Sequence, residues 1–519
     1  MHLLLLLSLV IPLYAIFILV PGFQSDEAIY TYAAYAIVKG VIPYSQITLV
    51  HPPLMYLAYA VPISLFGPNL LATRTFSSIF FLLTVVLTYF LAKTLHLKHS
   101  ISLLASALYA LYPASTPFAS TTLLVNLIMM FSLSSLILYV TRKGKMLFLV
   151  GFMMGLALMT WYLALFFFLS LLMYHILSSI WQKISMRKVI IEVATIISGS
   201  LIPIMLFLGW ISLVWHATTH FYFQTFVLHI TREILTVSEK WVSITSYIEY
   251  FFPLLLVSLL GTVISILYLK KTISNLFILM YISVSYPLFL ILISRTLFIH
   301  YLLPITPYLA ILSAFSIHTF NKSLSKLRET HLKSEIKLFI VILISLLVIM
   351  GIIVTAQKYS FYSHYLQFGY ANPHTQVELY IGSRITNLTS PDEKIWTSEP
   401  AIAFFAQRLI APPNSTMWPL QGFFHDVFDA PFVDAYGVVH KGKGFVKPCE
   451  FIQAWEKYDV RVIVLIGGSG AVPYPDSVLL EGFEEEQGVK EWVEQNFRLE
   501  EIVISPEVSY TYYIWLRGK

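Results

Sequence analysis

The sequence predicts an α-helical polytopic membrane protein of about eleven transmembrane helices, carrying a C-terminal extracytoplasmic α/β domain. Three observations predict it. Of the 519 residues, 57% are hydrophobic and 12% charged, with mean hydropathy +0.75, far from a soluble globular average. Apolar stretches of about 18 or more residues recur, each long enough as a helix to cross a hydrocarbon core roughly 30 Å thick. Acidic residues are segregated: residues 1–356 hold eight of the 28 Asp and Glu, and the remainder of the chain holds the other twenty. The expected domains are therefore a membrane domain over 1–356 and a soluble domain over 357–519.

The expected spans lie near 3–21, 73–92, 100–117, 120–140, 146–160, 162–180, 189–212, 249–269, 275–294, 300–320 and 337–355. The opening run has no basic n-region and ends in Val20-Pro21-Gly22 without a small-residue cleavage site, so it reads as a retained span. Only Thr160-Trp161-Tyr162 separates the fifth and sixth spans, and a tight turn is expected there. The basic residues support that turn. Lys93, Lys98, Arg142, Lys143, Lys145, Lys183, Arg187, Lys188, Lys270, Lys271, Lys322, Lys326, Arg328, Lys333 and Lys337 then fall on one side. The opposite membrane-proximal loops carry Lys39, Arg74, Arg232, Lys240 and Arg295. The positive-inside rule places the first set and the N-terminus in the cytoplasm, and the tail outside, in a plasma or ER-type membrane.

Net charge +5 is thus a matter of topology and not of nucleic-acid binding. The single Cys449 excludes an intramolecular disulfide framework and a cysteine metal cluster. In the tail, Val460–Ile466 and Ile502–Ile504 read as strands and Gly488–Phe497 as an amphipathic helix. The sequons at Asn387 and Asn414 agree with an outer location, although Asn321 starts a third in a loop expected inside. Ile466-Gly467-Gly468-Ser469-Gly470 follows a strand but lacks the dinucleotide spacing, and a turn is expected.

The first outer loop, 22–72, concentrates the chemistry. Asp26 and Glu27 stand side by side at the exit of the first span. Carboxylates near a bilayer are costly and are functional candidates by default. Ala28–Val38 and a segment opened by Pro52-Pro53 each suit a short helix lying in the interface. Two such helices would hold Asp26, His51 and Arg74 at one depth on the outer surface.

These residues resemble those of the GT-C membrane glycosyltransferases, in the aminoarabinose-transferase and protein O-mannosyltransferase branch. The resemblance rests on Asp26-Glu27 after span one, Pro52-Pro53 some 25 residues later, and Gly67-Pro68-x(5)-Arg74 before span two. It recurs at Arg295 and at His300-Tyr301-Leu302-Leu303-Pro304-x-x-Pro307. It implies a polyprenyl-phosphate (dolichyl-type) sugar donor, an outward-facing active site, a lipid, glycan or protein acceptor, and Asp26 as the residue that activates the acceptor, with Glu27 its neighbour. Relatives often carry Lys before the Pro-Pro pair, to contact the donor phosphate; here that position is His51.

Transfer from a lipid phosphate needs a base within about 2.6–3.2 Å of the acceptor proton, cationic donors for the departing phosphate, and a groove for the prenyl chain. Asp26 suits the first need. His51, Arg74 and Arg295 suit the second, Arg through its bidentate fork. Arg74 and Arg295 equally suit headgroup anchoring at helix ends, and His51 equally suits packing beside Pro52. Tyr30, Tyr44, His220, Arg232, His300 and Tyr301 are candidates for the substrate cleft, or for ordinary interface and loop packing. With one membrane-proximal carboxylate cluster, direct inverting displacement is expected over a covalent intermediate. No cofactor is expected, and Asp26 and Glu27 are the hard oxygen ligands at which a divalent metal would bind.

Two rival functions remain at this stage. A polytopic lipid or sugar transporter, or flippase, would bury charges mid-span and break its helices, whereas these spans are nearly charge-free. An oligosaccharyltransferase normally carries a Trp-Trp-Asp-Tyr-Gly motif, which does not occur here.

Overall fold

The computed structural model describes residues 2–19, 25–112, 124–141, 146–227, 240–241, 244–245, 248, 251–252, 254–259, 273–294, 299–329, 373–397, 399–411, 432–433, 439–440, 452, 455–468, 489–504 and 510–518. Helices come first: α1 His2–Leu19, α2 Ser25–Val38, α3 Leu54–Phe66, α4 Leu70–Thr94, α5 His99–Leu111, α6 Leu124–Thr141, α7 Met146–Thr160, α8 Ala164–Trp181, α9 Met186–Leu213, the short α10 Thr218–Tyr222, α11 Ile273–Ile293 and α12 Thr306–Glu329. A π turn, Phe223–Val227, follows α10, and a 3-10 turn, Ile299–Ile305, leads into α12. Among the described residues, five segments are long and apolar enough to cross a membrane: Leu70–Thr94, Ala164–Trp181, Met186–Leu213, Leu276–Ile293 and Tyr301–Thr319. Shorter apolar helices accompany them, and the chain is an integral membrane protein.

Helices overlap the expected spans as far as residue 320; residues 20–21, 113–117 and 120–123 of the first, third and fourth lie outside the described residues, and of the eighth only 251–252 and 254–259 are described. The eleventh, 337–355, lies outside the described residues. The disputed turn is present. Helix α7 stops at Thr160, Trp161 to Leu163 turn, and α8 starts at Ala164. Trp161 sits in this break, buried, with its ring edge-on to Tyr301 at 4.8 Å.

The chain divides into two units. One comprises 1–19, 75–206 and 235–364, the other 20–74, 207–234 and 365–519. In the first, Phe81 stacks on Tyr109 at 5.0 Å, and the Tyr286 hydroxyl donates to the Tyr301 carbonyl at 2.8 Å. Helices α7 and α9 approach until backbones touch. A Cβ on Gly151 would strike the Ile196 carbonyl, one on Gly155 would strike Ser200 and Pro203, and one on Gly199 would strike Phe148. Such small-xxx-small contacts replace hydrophobic force where the surroundings are as apolar as the side chains.

The second unit joins the first loop to the tail. The tail continues with α13 Pro373–Leu388, β1 Lys394–Thr397, α14 Pro400–Ala406, β2 Phe432–Val433, β3 Val439–His440, β4 Val460–Gly468, α15 Val489–Asn496, β5 Phe497–Ile504 and β6 Tyr510–Arg517. Four strands form a mixed sheet in the order β1-β4-β6-β5, with β1 parallel to β4 and the other pairs antiparallel. Strand β4 sits inside the sheet, and its apolar run from Val462 is covered on both faces: Val462, Ile463 and Val464 are all buried. Both strands expected in the tail are present and longer than expected. Gly467 and Gly468 belong to β4, paired with Thr511 and Tyr510, so the expected turn can begin only beyond them.

Candidate active site

The site is built on the start of α2. The sequence reading leaves Asp26 and Glu27 in the connection before a helix from Ala28. The helix instead begins at Ser25, so both carboxylates sit in its first turn, where the N-terminal dipole favours negative charge. Neighbours on a helix diverge by about 100°. Glu27 therefore turns inward while Asp26 stays half-buried.

Glu27 is fully buried, and so is Arg74, at 0% and 2% side-chain exposure. Arg74 donates from Nε to Oε1 at 2.9 Å and from an Nη to Oε2 at 2.7 Å. This two-pronged pair couples the start of α2 to the first turn and a half of α4. It is the strong form of ion pairing, and burial makes it costly to break from one side. The expectation that Arg74 serves the phosphate is thereby qualified, since its fork already grips a carboxylate.

One turn beyond Asp26, the Tyr30 hydroxyl hydrogen-bonds His51 Nε2 at 3.0 Å, with the rings edge-on at 5.6 Å. His51 is buried just before the Pro52-Pro53 pair, and α3 starts right after it, at Leu54. Tyr44 donates to the His51 carbonyl at 2.9 Å. Tyr44 is wholly buried and held at φ +65°. Tyr30 is likewise buried. Tyr56, on α3, packs edge-on to Tyr30 at 6.0 Å. Burial pushes the Tyr56 phenol up, and the nearby Asp26 charge pushes it further, so Asp26, Tyr30, His51 and Tyr56 share one neighbourhood.

Gln224 went unremarked in the sequence. It is buried in the π turn, accepts from Leu49 N–H at 3.0 Å and donates to the Tyr44 carbonyl at 2.9 Å. An amide inside the aromatic run Phe221-Tyr-Phe-Gln-Thr-Phe226 is the signal that could have found it, since a buried amide must be satisfied. Phe221, from the same segment, meets Tyr44 edge-on at 5.0 Å.

His220 is half-buried on α10 and makes no hydrogen bond to this cluster. Tyr301 is buried in the 3-10 turn of the other unit, and the backbone of His300 belongs to the same turn. Arg232 and Arg295 lie outside the described residues. Among the described residues no three His, Cys, Asp or Glu gather as metal ligands.

A family model described as dolichyl-phosphate-mannose-protein mannosyltransferase matches residues 50–210. Comparison with curated proteins gives no match. Among solved structures, ArnT from Cupriavidus metallidurans bound to undecaprenyl phosphate is similar over 99% of this chain and 97% of its own, with a TM-score of 0.61 and 12% identity. The archaeal oligosaccharyltransferase AglB from Archaeoglobus fulgidus, in complex with an inhibitory peptide and a dolichol-phosphate, is similar over 98% of this chain and 74% of its own, with a TM-score of 0.51 and 12% identity. The resemblance to GT-C glycosyltransferases read from the first loop is matched by the fold of the whole chain.

Proposed function

We propose that this chain of GT-C fold is a glycosyltransferase, moving a sugar from a polyprenyl-phosphate donor to an acceptor at the outer face of the membrane. The observation that carries the reading is the division of labour at the start of α2. Glu27 is buried in an ion pair with Arg74, and Asp26, half-buried in the neighbourhood of His51 and Tyr56, is the carboxylate we assign as base. The solved structures that share the fold include one bound to undecaprenyl phosphate and one in complex with a dolichol-phosphate, which supports a lipid-phosphate donor here.

In the proposed step an acceptor O–H or N–H gives its proton to Asp26. The acceptor atom attacks the anomeric carbon from the face opposite the phosphate, and the C–O bond to phosphate breaks with its electron pair leaving on oxygen. Inversion follows from the single displacement. His51, Arg74 and Arg295 are proposed to meet the leaving phosphate. Tyr30, Tyr44, His220, Arg232, His300 and Tyr301 are the proposed cleft residues. A divalent ion would have Asp26 as its carboxylate ligand, because both Glu27 oxygens already face a cation, and one carboxylate is a poor cage for calcium or magnesium. No step is routed through a metal.

The reading includes eleven spans, a cytoplasmic N-terminus and a soluble outer domain over 357–519. Its test is sugar release from radiolabelled polyprenyl-phosphate-hexose by purified protein, with cell-envelope extract as acceptor. Wild type should transfer, and Asp26→Asn, correctly folded, should lose about 10²–10⁴-fold in rate. Full transfer by Asp26→Asn would remove Asp26 as the base. No release by wild type across several sugars would shift the reading to a transporter.

A further inference from the structure

Helix α2 presents a second face. Asp26, Glu27 and Tyr30 cluster on one side of it, while Tyr32, Ala36 and Lys39 fall on nearly the opposite side at about 100° per residue. Those three line a cleft of about 260 Å³ within the second unit, closed on its other wall by Lys394, Ile410 and Tyr458. The cleft begins roughly 9 Å along the helix axis from Asp26 and runs to roughly 20 Å, at 1.5 Å per residue.

Its chemistry is that of an anion receptor. Lys39 leaves the end of α2 on the turn made by Gly40 at φ +87°, and its ammonium lies 5.8 Å from the Tyr35 ring. Lys394 opens β1, with its ammonium 5.0 Å from the Tyr458 ring. Neither pairs with a carboxylate among the described residues. Aromatic faces hold ammonium groups in place without neutralising them. The third donor is buried: the Tyr32 oxygen accepts the Ile410 N–H at 2.7 Å, and its own proton meets no acceptor among the described residues. Burial raises the Tyr32 phenol well above its usual value, so that proton stays on. Two cations and an unanswered buried hydroxyl in a cleft the size of a small headgroup call for several acceptor oxygens on one centre.

We propose that the cleft of Tyr32, Lys39 and Lys394 is a binding site for a phosphate monoester, separate from the carboxylate site on the other face of α2. The phosphate arrives either on a lipid headgroup or on a soluble ester.

Purified full-length protein in a neutral detergent is titrated with inorganic phosphate and with dihexanoyl phosphatidic acid, binding being read by calorimetry. Wild type should bind both. Lys39→Ala and Lys394→Ala should each weaken binding about tenfold or more, as expected for a charge-assisted hydrogen bond, whereas Lys39→Arg should stay within about threefold. Lys457→Ala is the control, because that lysine contacts the Tyr458 ring at 5.5 Å, does not line the cleft, and carries the same charge. Equal weakening by Lys457→Ala would reduce the effect to general electrostatics and overturn the site, as would no phosphate binding by wild type in the millimolar range. Phosphatidic acid binding at least tenfold tighter than phosphate assigns a lipid source; parity assigns a soluble ester. A wild type that releases no sugar but whose phosphate binding is still weakened by Lys39→Ala would leave this site standing, so failure of transfer and failure of this site are separable.

Discussion

Asp26 and Glu27 differ by one position and receive opposite environments, because a helix turns each successive side chain by about 100°. The inward one meets Arg74, and that pair sets a stability prediction. Glu27→Met leaves the Arg74 guanidinium buried without its carboxylate and should cost about 3–5 kcal/mol. Arg74→Met should cost a similar amount from the other side. Combining Glu27→Met with Arg74→Met should cost clearly less than the sum, because no charge is then stranded. Thermal melting of the four proteins in detergent measures this coupling, and additive losses would mean the pair is not a unit. At this scale the residue types were legible: Asp26, Glu27, His51 and Arg74 stand out as polar residues in an apolar loop. Their pairing was not. Glu27 and Arg74 are 47 positions apart, and nothing in periodicity says which of two adjacent carboxylates faces inward.

Helices reveal a different gap between sequence and structure. Their positions follow from apolar length, and the break at Trp161 follows from the alternation of basic loops, so most elements of the membrane domain were legible. The contact between α7 and α9 was not, although Gly151-x-x-x-Gly155 spells it. Gly151→Leu should lower the melting temperature, overpacking of this kind costing about 1–3 kcal/mol. Gly209→Ala, where a Cβ meets nothing, should leave it unchanged. Helix α13 carries a second consequence. Glu378 is buried there with Oε2 lacking a hydrogen-bond partner among the described residues, and burial pushes its carboxyl up to about 8. A folded value above the unfolded one means the folded state holds its proton more tightly. Stability from this group is therefore full below about pH 4.5 and is lost as pH rises through about 8. Glu378→Gln should flatten that dependence, with a gain on the order of a few kcal/mol above pH 8 and little change at pH 4. Melting curves at the two pH values read it directly, and parallel behaviour of variant and wild type would exclude Glu378 as the titrating group.

For the whole molecule, the orientation inferred from basic loops is testable on the single native cysteine. In a Cys449→Ser background, Asp392→Cys, exposed before β1, should react with an impermeant maleimide on intact cells. Lys188→Cys, exposed at the start of α9, should react only after permeabilisation. The reverse pattern would invert the topology and place α2 on the cytoplasmic side. The grouping of loop and tail into one unit was invisible to composition, which splits the chain near residue 356 instead. It includes contacts across long stretches of chain, such as Tyr35 edge-on to Phe404. Leu49 waits on Gln224, 175 residues later, and Tyr32 waits on Ile410, 378 residues later. At roughly 5–20 residues per second of synthesis, α2 leaves the ribosome on the order of half a minute before the backbone amide that its Tyr32 will receive. The carboxylates, His51 and Arg74 are thus made early and finished late. During that interval the nascent loop needs a provisional cover, and a chain halted before residue 410 would display every proposed reacting residue on an incompletely assembled support.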